Sequence, residues 1–294
     1  MSEHRTGLWL GVSAYVLWGL LPIYLKLLTA VPAREVLGHR ILWSLVLLIG
    51  IVLIWRRGPG IWRAARGRTL GLLTLSAALI LVNWFVLIWA VLNGHVLEAA
   101  LGYFINPLVN VALGVLVLRE RVSAVQKAAV GVAAAGVLLL AVSGGGTIWI
   151  SLTLAVSFAL YGLVRKVVDI DALGGLTVET LLLAPVALAL LLLAGTAGDG
   201  GAAWGRDGHT DLLLVLAGPA TALPLLLFAA AARRMPYSTL GLLQYIAPSM
   251  SFLEAVLLFG EPVGPVHVAT FALIWSGCAL YAWDGLRRPK LATA

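Results

Sequence analysis

Apolar residues run along this chain in blocks of about twenty, without the two-residue or 3.6-residue alternation that marks one buried face of a strand or of a soluble helix. The blocks lie near residues 7–28, 34–55, 70–92, 96–118, 123–142, 148–166, 175–195, 211–232, 237–259 and 265–286. At 1.5 Å of rise per residue, ~20 helical residues cover the ~30 Å hydrocarbon core of a bilayer. Short connections rich in Gly, Pro and Arg separate them, such as RRGPGIWRAARGR at 56–68 and GTAGDGGAAWGRDGHTD at 195–211. The pattern predicts an all-α membrane protein of ten transmembrane helices, with no soluble domain and no low-complexity tail. The first block is longer than the roughly 7–15 residues of a signal-peptide core and reads as an uncleaved span.

Composition sharpens this reading. Of 294 residues, 61% are hydrophobic and 11% charged; a soluble domain needs about 25% charge to cover its surface. The single cysteine, Cys278, excludes an intrachain disulfide and a cysteine metal cluster. The net charge of +7 does not point to nucleic acid, because the basic residues sit in connections. With a cytoplasmic N-terminus, 16 of the 20 Lys and Arg fall on the cytoplasmic side, among them Arg5, Arg56, Arg119, Arg165, Arg233 and Lys290. By the positive-inside rule both termini are cytoplasmic.

A longer period is also present. Pro107 and Glu120 are 13 residues apart, as are Pro248 and Glu261. Val122 matches Val263 and Gly136 matches Gly277 at an offset of 141, and YVLWG (15–19) matches FALYG (158–162) at 143. The halves are 1–146 and 147–294, with five spans each. Five is odd, so the second half enters the membrane inverted. Such two-repeat proteins bind cargo near the midplane between the halves and expose it alternately to each side.

These residues resemble a known family. The WG of span 1, an Arg one turn into span 2, and Pro followed 13 residues later by Glu in spans 4 and 9 are similar to EamA repeats of the drug/metabolite transporter superfamily. NWFVLIWAVLNGHVLEAALGYFINPLVNVALG (83–114), SFALYGLVRK (157–166) and GLLQYIAP (241–248) resemble its RarD subfamily more specifically. The resemblance covers nearly the whole chain. It implies an inner-membrane secondary transporter, an exporter of small organic metabolites or drugs, with spans 1–4 and 6–9 around the cavity and spans 5 and 10 peripheral.

A polar group at the bilayer centre is costly, about 2.5–3.5 kcal/mol for a charge on insertion scales, so it faces protein or a water-filled cavity. In span 4, Glu98, Gly102, Asn106 and Asn110 recur every four residues and share one helix face. Pro107 removes a backbone donor and frees the carbonyl of Tyr103, predicting a kink. The asparagines line a cavity or tie neighbouring helices together, and both readings stand. Gln244, Pro248 and Ser251 repeat the device in span 9 beside Tyr245. Trp18 and Tyr161 are equivalent aromatics before glycines, and Asn83 and Trp84 have similar standing; each lines the cavity or packs. Arg165 and Glu179 are expected to pair as an inner gate. Glu120 and Glu261 read as helix caps or anchors. Glu98 is expected either to pair with Arg40, near His39, or to respond to protons during the cycle.

Other chemistry finds little support. His39 and His95 lack a His-x-x-x-His spacing, so no metal site is expected, and no cofactor. No Walker A motif and no intramembrane acidic pair is present; Asp169 and Asp171 sit in a connection. The expected function is therefore small-molecule transport in the lipid bilayer and not enzymatic. A lipid flippase or scramblase is the alternative. Gly131 with Ala135 leaves monomer and homodimer equally open.

Overall fold

The computed structural model describes residues 3–117, 123–143, 147–196, 202–232, 234 and 243–287. Among these, the chain forms α1 (Glu3–Gly19), α2 (Leu21–Lys26), α3 (Ala33–Ile54), α4 (Gly58–Ala64), α5 (Gly67–Leu92), α6 (Val96–Leu116), α7 (Ala124–Val142), α8 (Ile148–Val167), α9 (Ala172–Thr196), α10 (Gly208–Ala232), α11 (Ile246–Leu253) with a π-helical turn at Glu254–Leu258, and α12 (Pro265–Arg287). Among the described residues, seven helical stretches are long and apolar enough to cross a membrane, from Arg5–Lys26 to Gly208–Phe228. Two shorter apolar helices, Ile246–Leu258 and Pro265–Tyr281, follow, and α6 adds 21 residues.

The outer wall explains the missing alternation. Leu53, Ile54 and Leu192 are 70%, 78% and 73% exposed. Such a surface would aggregate in water, whereas in lipid it is the ordinary exterior of a bundle. Inside, α3 packs on α9 and α10, α8 on α5 and α6, α1 on α10 and α11, α6 on α11, and α7 on α12.

The α7–α12 contact shows why Gly136 and Gly277 recur. A Cβ at Gly136 would stand 3.0 Å from the Thr270 carbonyl oxygen, and one at Gly277 only 2.7 Å from that of Ala129. Small residues let two backbones approach where lipid offers no hydrophobic drive. Gly131 and Ala135 lie on the opposite, exposed side of α7. Ser123 caps α7 in a capping box with Gln126, and its hydroxyl donates to Asp284 of α12 at 2.8 Å.

α6 runs unbroken through Pro107 from Val96 to Leu116. A proline removes one donor without ending a membrane helix when neighbours support it; Pro185 sits inside α9, and Pro219 and Pro224 inside α10, in the same way. Among the described residues, departures from α-helical pairing fall in the first span, between α1 and α2 at Leu20, and where α11 widens into the π turn.

Candidate functional site

Three polar clusters lie inside the bundle. The first joins α5, α8 and α9. The Glu179 carboxylate is 1% exposed and accepts from the Ser76 hydroxyl at 2.5 Å and from the Tyr161 hydroxyl at 3.3 Å. Arg165 Nη1 stands 3.5 Å from Glu179 Oε1, and Nη2 donates to the Asp171 carbonyl at 3.2 Å. Arg57 extends the cluster outward, 2.6 Å from the Asp171 carboxylate. Arg165 and Glu179 thus meet; Ser76, a hydroxyl in an apolar span, gave no sequence signal of its part.

The second cluster is a seam along α6. Asn83 of α5 donates to the Leu154 carbonyl and the Ser157 hydroxyl, each at 3.1 Å, while accepting from the Tyr103 hydroxyl at 3.1 Å. Asn106 is buried and donates to the Ala155 carbonyl at 3.1 Å; Asn110 is exposed and donates to Asn106 Oδ1 at 2.9 Å. Ser151 donates to the Glu98 carbonyl at 2.7 Å. At Gly102 an added Cβ would lie 2.8 Å from the Ser151 carbonyl oxygen. The four-residue repeat therefore meets α8, to which Asn106 is tied through the Ala155 carbonyl.

The third cluster surrounds Arg40, which is 4% exposed. Its Nε donates to the Thr221 hydroxyl of α10 at 2.7 Å, and its guanidinium lies 4.9 Å over the Trp84 ring. The expected pair with Glu98 does not form. Glu98 sits in the first turn of α6 and is held by its neighbours, accepting from Thr147 at 2.9 Å and facing His95 Nδ1 at 3.6 Å. Arg40 points from α3 between α5 and α10. Similar depth along two spans did not place them on facing sides. His39 stacks on Trp204 at 5.1 Å, and Glu35 accepts from the Ala203 amide at 2.7 Å, tying α3 to the connection before α10.

The remaining candidates lie apart. Trp18 packs edge-on against Tyr15 and beside Phe228 of α10. Tyr245 stacks on Phe104 at 6.3 Å, and both line a cavity of about 330 Å³ with Ser249, Trp275 and Cys278. Gln244 is half-buried in the turn before α11, and Pro248 is buried within it. Glu261 caps α6, accepting from the Val96 and Leu97 amides at 2.8 and 2.7 Å. Burial pushes its carboxyl up, while those amides and Lys26 pull it back. Glu120 lies outside the described residues.

Apolar helices with lipid-type exteriors, joined inside by polar seams, define a helical membrane protein. Its particular kind comes from comparison. A model of the EamA-like transporter family matches residues 5–142 and 145–283. RarD of Streptomyces exfoliatus is 46% identical over 294 residues, covering 100% of this chain and 93% of that protein. RarD of Escherichia coli is 43% identical, covering 97% and 96%. YojE of Bacillus subtilis, an uncharacterized transporter, is 42% identical, again covering 97% and 96%. A crystal structure at 19% identity shares the fold with a TM-score of 0.61, over 97% of this chain and all of that one. The chain belongs to the EamA-like transporter family, with RarD proteins among its relatives, and is a membrane transporter.

Proposed function

We propose that the protein is a secondary transporter of the inner membrane that exports small organic molecules by alternating access. Ten spans form two inverted five-helix repeats, 1–146 and 147–294, with both termini cytoplasmic. The observation that carries this reading is the exchange symmetry of the helix contacts. With α1–α2 paired to α8, α3 to α9, α5 to α10, α6 to α11 and α7 to α12, swapping the halves turns each main contact into another. α3 on α10 becomes α9 on α5, α1 on α10 becomes α8 on α5, and α6 on α8 becomes α11 on α1. Contacts α3–α9, α6–α11 and α7–α12 map onto themselves. That arrangement suits two halves that rock about a shared axis. The α5–α8–α9 cluster, with Arg165 and Glu179, serves as a gate at the inner end, and Tyr103 and Tyr161 face the path.

Purified protein in liposomes preloaded with a solute panel tests this. Protein-dependent release of at least one solute, measured with and without an imposed pH gradient, is the expected result. Lipid scrambling with no solute release would replace this reading with the flippase alternative.

A further inference from the structure

A buried guanidinium without a carboxylate is the feature of this bundle least explained by packing. Arg40 is 4% exposed, and no Asp or Glu among the described residues lies within ion-pair distance of it. Nε is used by Thr221, whose own hydroxyl proton goes to the Ala217 carbonyl at 2.9 Å. The ring face of Trp84 covers one side. Nη1 is buried and has no hydrogen-bond acceptor. One neutral hydroxyl and one ring do not balance a unit charge out of water, since buried charges are otherwise paired. A cation held this way, with a donor left over, is built for an anion that comes and goes.

The surroundings indicate what carries that anion. Tyr24 of α2 donates to the Leu213 carbonyl of α10, the helix that supplies Thr221. Tyr24 also lines a cleft of about 260 Å³ between α1–α2 and α10, with Leu17, Leu21, Pro219, Ala220 and Leu223. Pro219 and Ala220 immediately precede the Thr221 that holds Arg40, so cleft and cation share the same stretch of α10. Leucines and prolines accept an apolar body, and no second cation is seen at Arg40 among the described residues. One guanidinium matches one negative charge, and its fork fits a carboxylate.

We propose that Arg40 is the anchor for the carboxylate of a small, largely apolar organic acid, the cargo class of the transporter proposed above. The acid's oxygen accepts from Nη1, its body lies along the Tyr24 cleft, and Thr221 and Trp84 hold the guanidinium in position.

The test uses the full chain in a neutral maltoside detergent, with thermal unfolding followed at several ligand concentrations. The probes are 3-phenylpropanoate, its amide, phenyl phosphate, and micellar phosphatidylglycerol. The expected result is a concentration-dependent rise in Tm with the carboxylate, at least ten-fold weaker with the amide. Arg40→Gln should weaken carboxylate binding on the order of a hundred-fold, the loss expected for charged hydrogen bonds. Arg40→Lys, keeping charge without the fork, should fall between. The acid–amide comparison on the native chain stands even if the variants fold poorly. Equal shifts by acid and amide, a carboxylate shift that survives in Arg40→Gln, a shift by phosphatidylglycerol or phenyl phosphate alone, or none at all would each overturn the assignment. Protein-dependent release of neutral or cationic solutes alone in the liposome assay would leave the transporter reading standing without the acid site. Release of no solute at all removes the transporter reading itself.

Discussion

The Arg165–Glu179 contact permits a quantitative test of how the cluster is held. Glu179 has two hydroxyl donors and one cation, so removing Arg165 leaves a buried carboxylate with no counter-charge. Breaking such a pair costs roughly 3–5 kcal/mol in soluble proteins. Here the loss has a ceiling, because the carboxyl can take up a proton, and protonating an ordinary glutamate costs about 3.7 kcal/mol at pH 7 but about 1 at pH 5. Arg165→Met should therefore destabilise by about 2–3.5 kcal/mol at pH 7. The loss shrinks as pH falls, since a neutral Glu179 needs no cation. Glu179→Gln keeps an acceptor for Ser76, and Arg165, at 17% side-chain exposure, can reach water. It should cost roughly 1–2 kcal/mol. Arg165→Met with Glu179→Gln should then be more stable than Arg165→Met alone. The assay is unfolding in mixed micelles followed by a thiol-reactive dye, with buried Cys278 as the single reporter. A double variant whose loss equals the sum of the singles within about 0.5 kcal/mol refutes the pairing, as does a loss for Arg165→Met that ignores pH.

Three further outcomes follow. Gly102→Ala presses a methyl on the Ser151 carbonyl and should cost about 1–3 kcal/mol in the same unfolding assay; an unchanged midpoint would mean that α6 and α8 do not approach as described. Glu261→Ala removes two acceptor bonds from the α6 N-terminus and should cost ~1–2 kcal/mol, with Glu261→Gln milder because its one oxygen still accepts; equal losses would deny the cap. For the orientation, Lys290→Cys in a Cys278→Ser background should stay unlabelled by an impermeant maleimide in intact cells and label after lysis, and labelling in intact cells reverses it.

Sequence legibility tracked chemistry that is local. Block length pointed to long apolar helices, seven of which, among the described residues, are long enough to cross a membrane, since hydrocarbon thickness sets helix length whatever the neighbours are. The Gly136–Gly277 match pointed to positions where the structure has a real backbone approach. Glu261, thirteen residues past Pro248, read as a cap or anchor, and it does hold the α6 N-terminus. What failed was azimuth. The helix that carries Arg40 is apolar nearly all round and does not say which side faces which neighbour, so Arg40 was matched to Glu98 by depth alone, while it points instead at Thr221. Thr221 and Ser76 are hydroxyls that a span tolerates anywhere, and Thr147 stands just before one. Only the packed bundle gives them partners. The interruption at Leu20 has only Pro22 nearby and no polar flag.

The irregular backbone sits at one contact, and this bears on how the halves could move. α1 packs on α11, and at Gly19, the last residue of α1, a Cβ would lie 2.7 Å from Met250 Sδ of α11. Just beyond, α2 ends at Lys26, whose ammonium stands 5.0 Å over the Phe259 ring closing the π turn. The break in the first span thus lies against the stretch of α11 that leads into the π turn. It is also a soft break: Leu20 keeps right-handed helical angles, its amide bonds the Val16 carbonyl, and its carbonyl accepts from Tyr24. No stored strain has to be released for α2 to tilt relative to α1. Hinges are a few element-terminal residues that absorb backbone rotation, and Leu20 and Glu254 stand at such ends. Tyr24, on α2, lines the apolar cleft and donates to the Leu213 carbonyl of α10. Tilting of α2 about Leu20 would change the width of that cleft, because Leu20, Leu21 and Tyr24 line it from one side and α10 from the other.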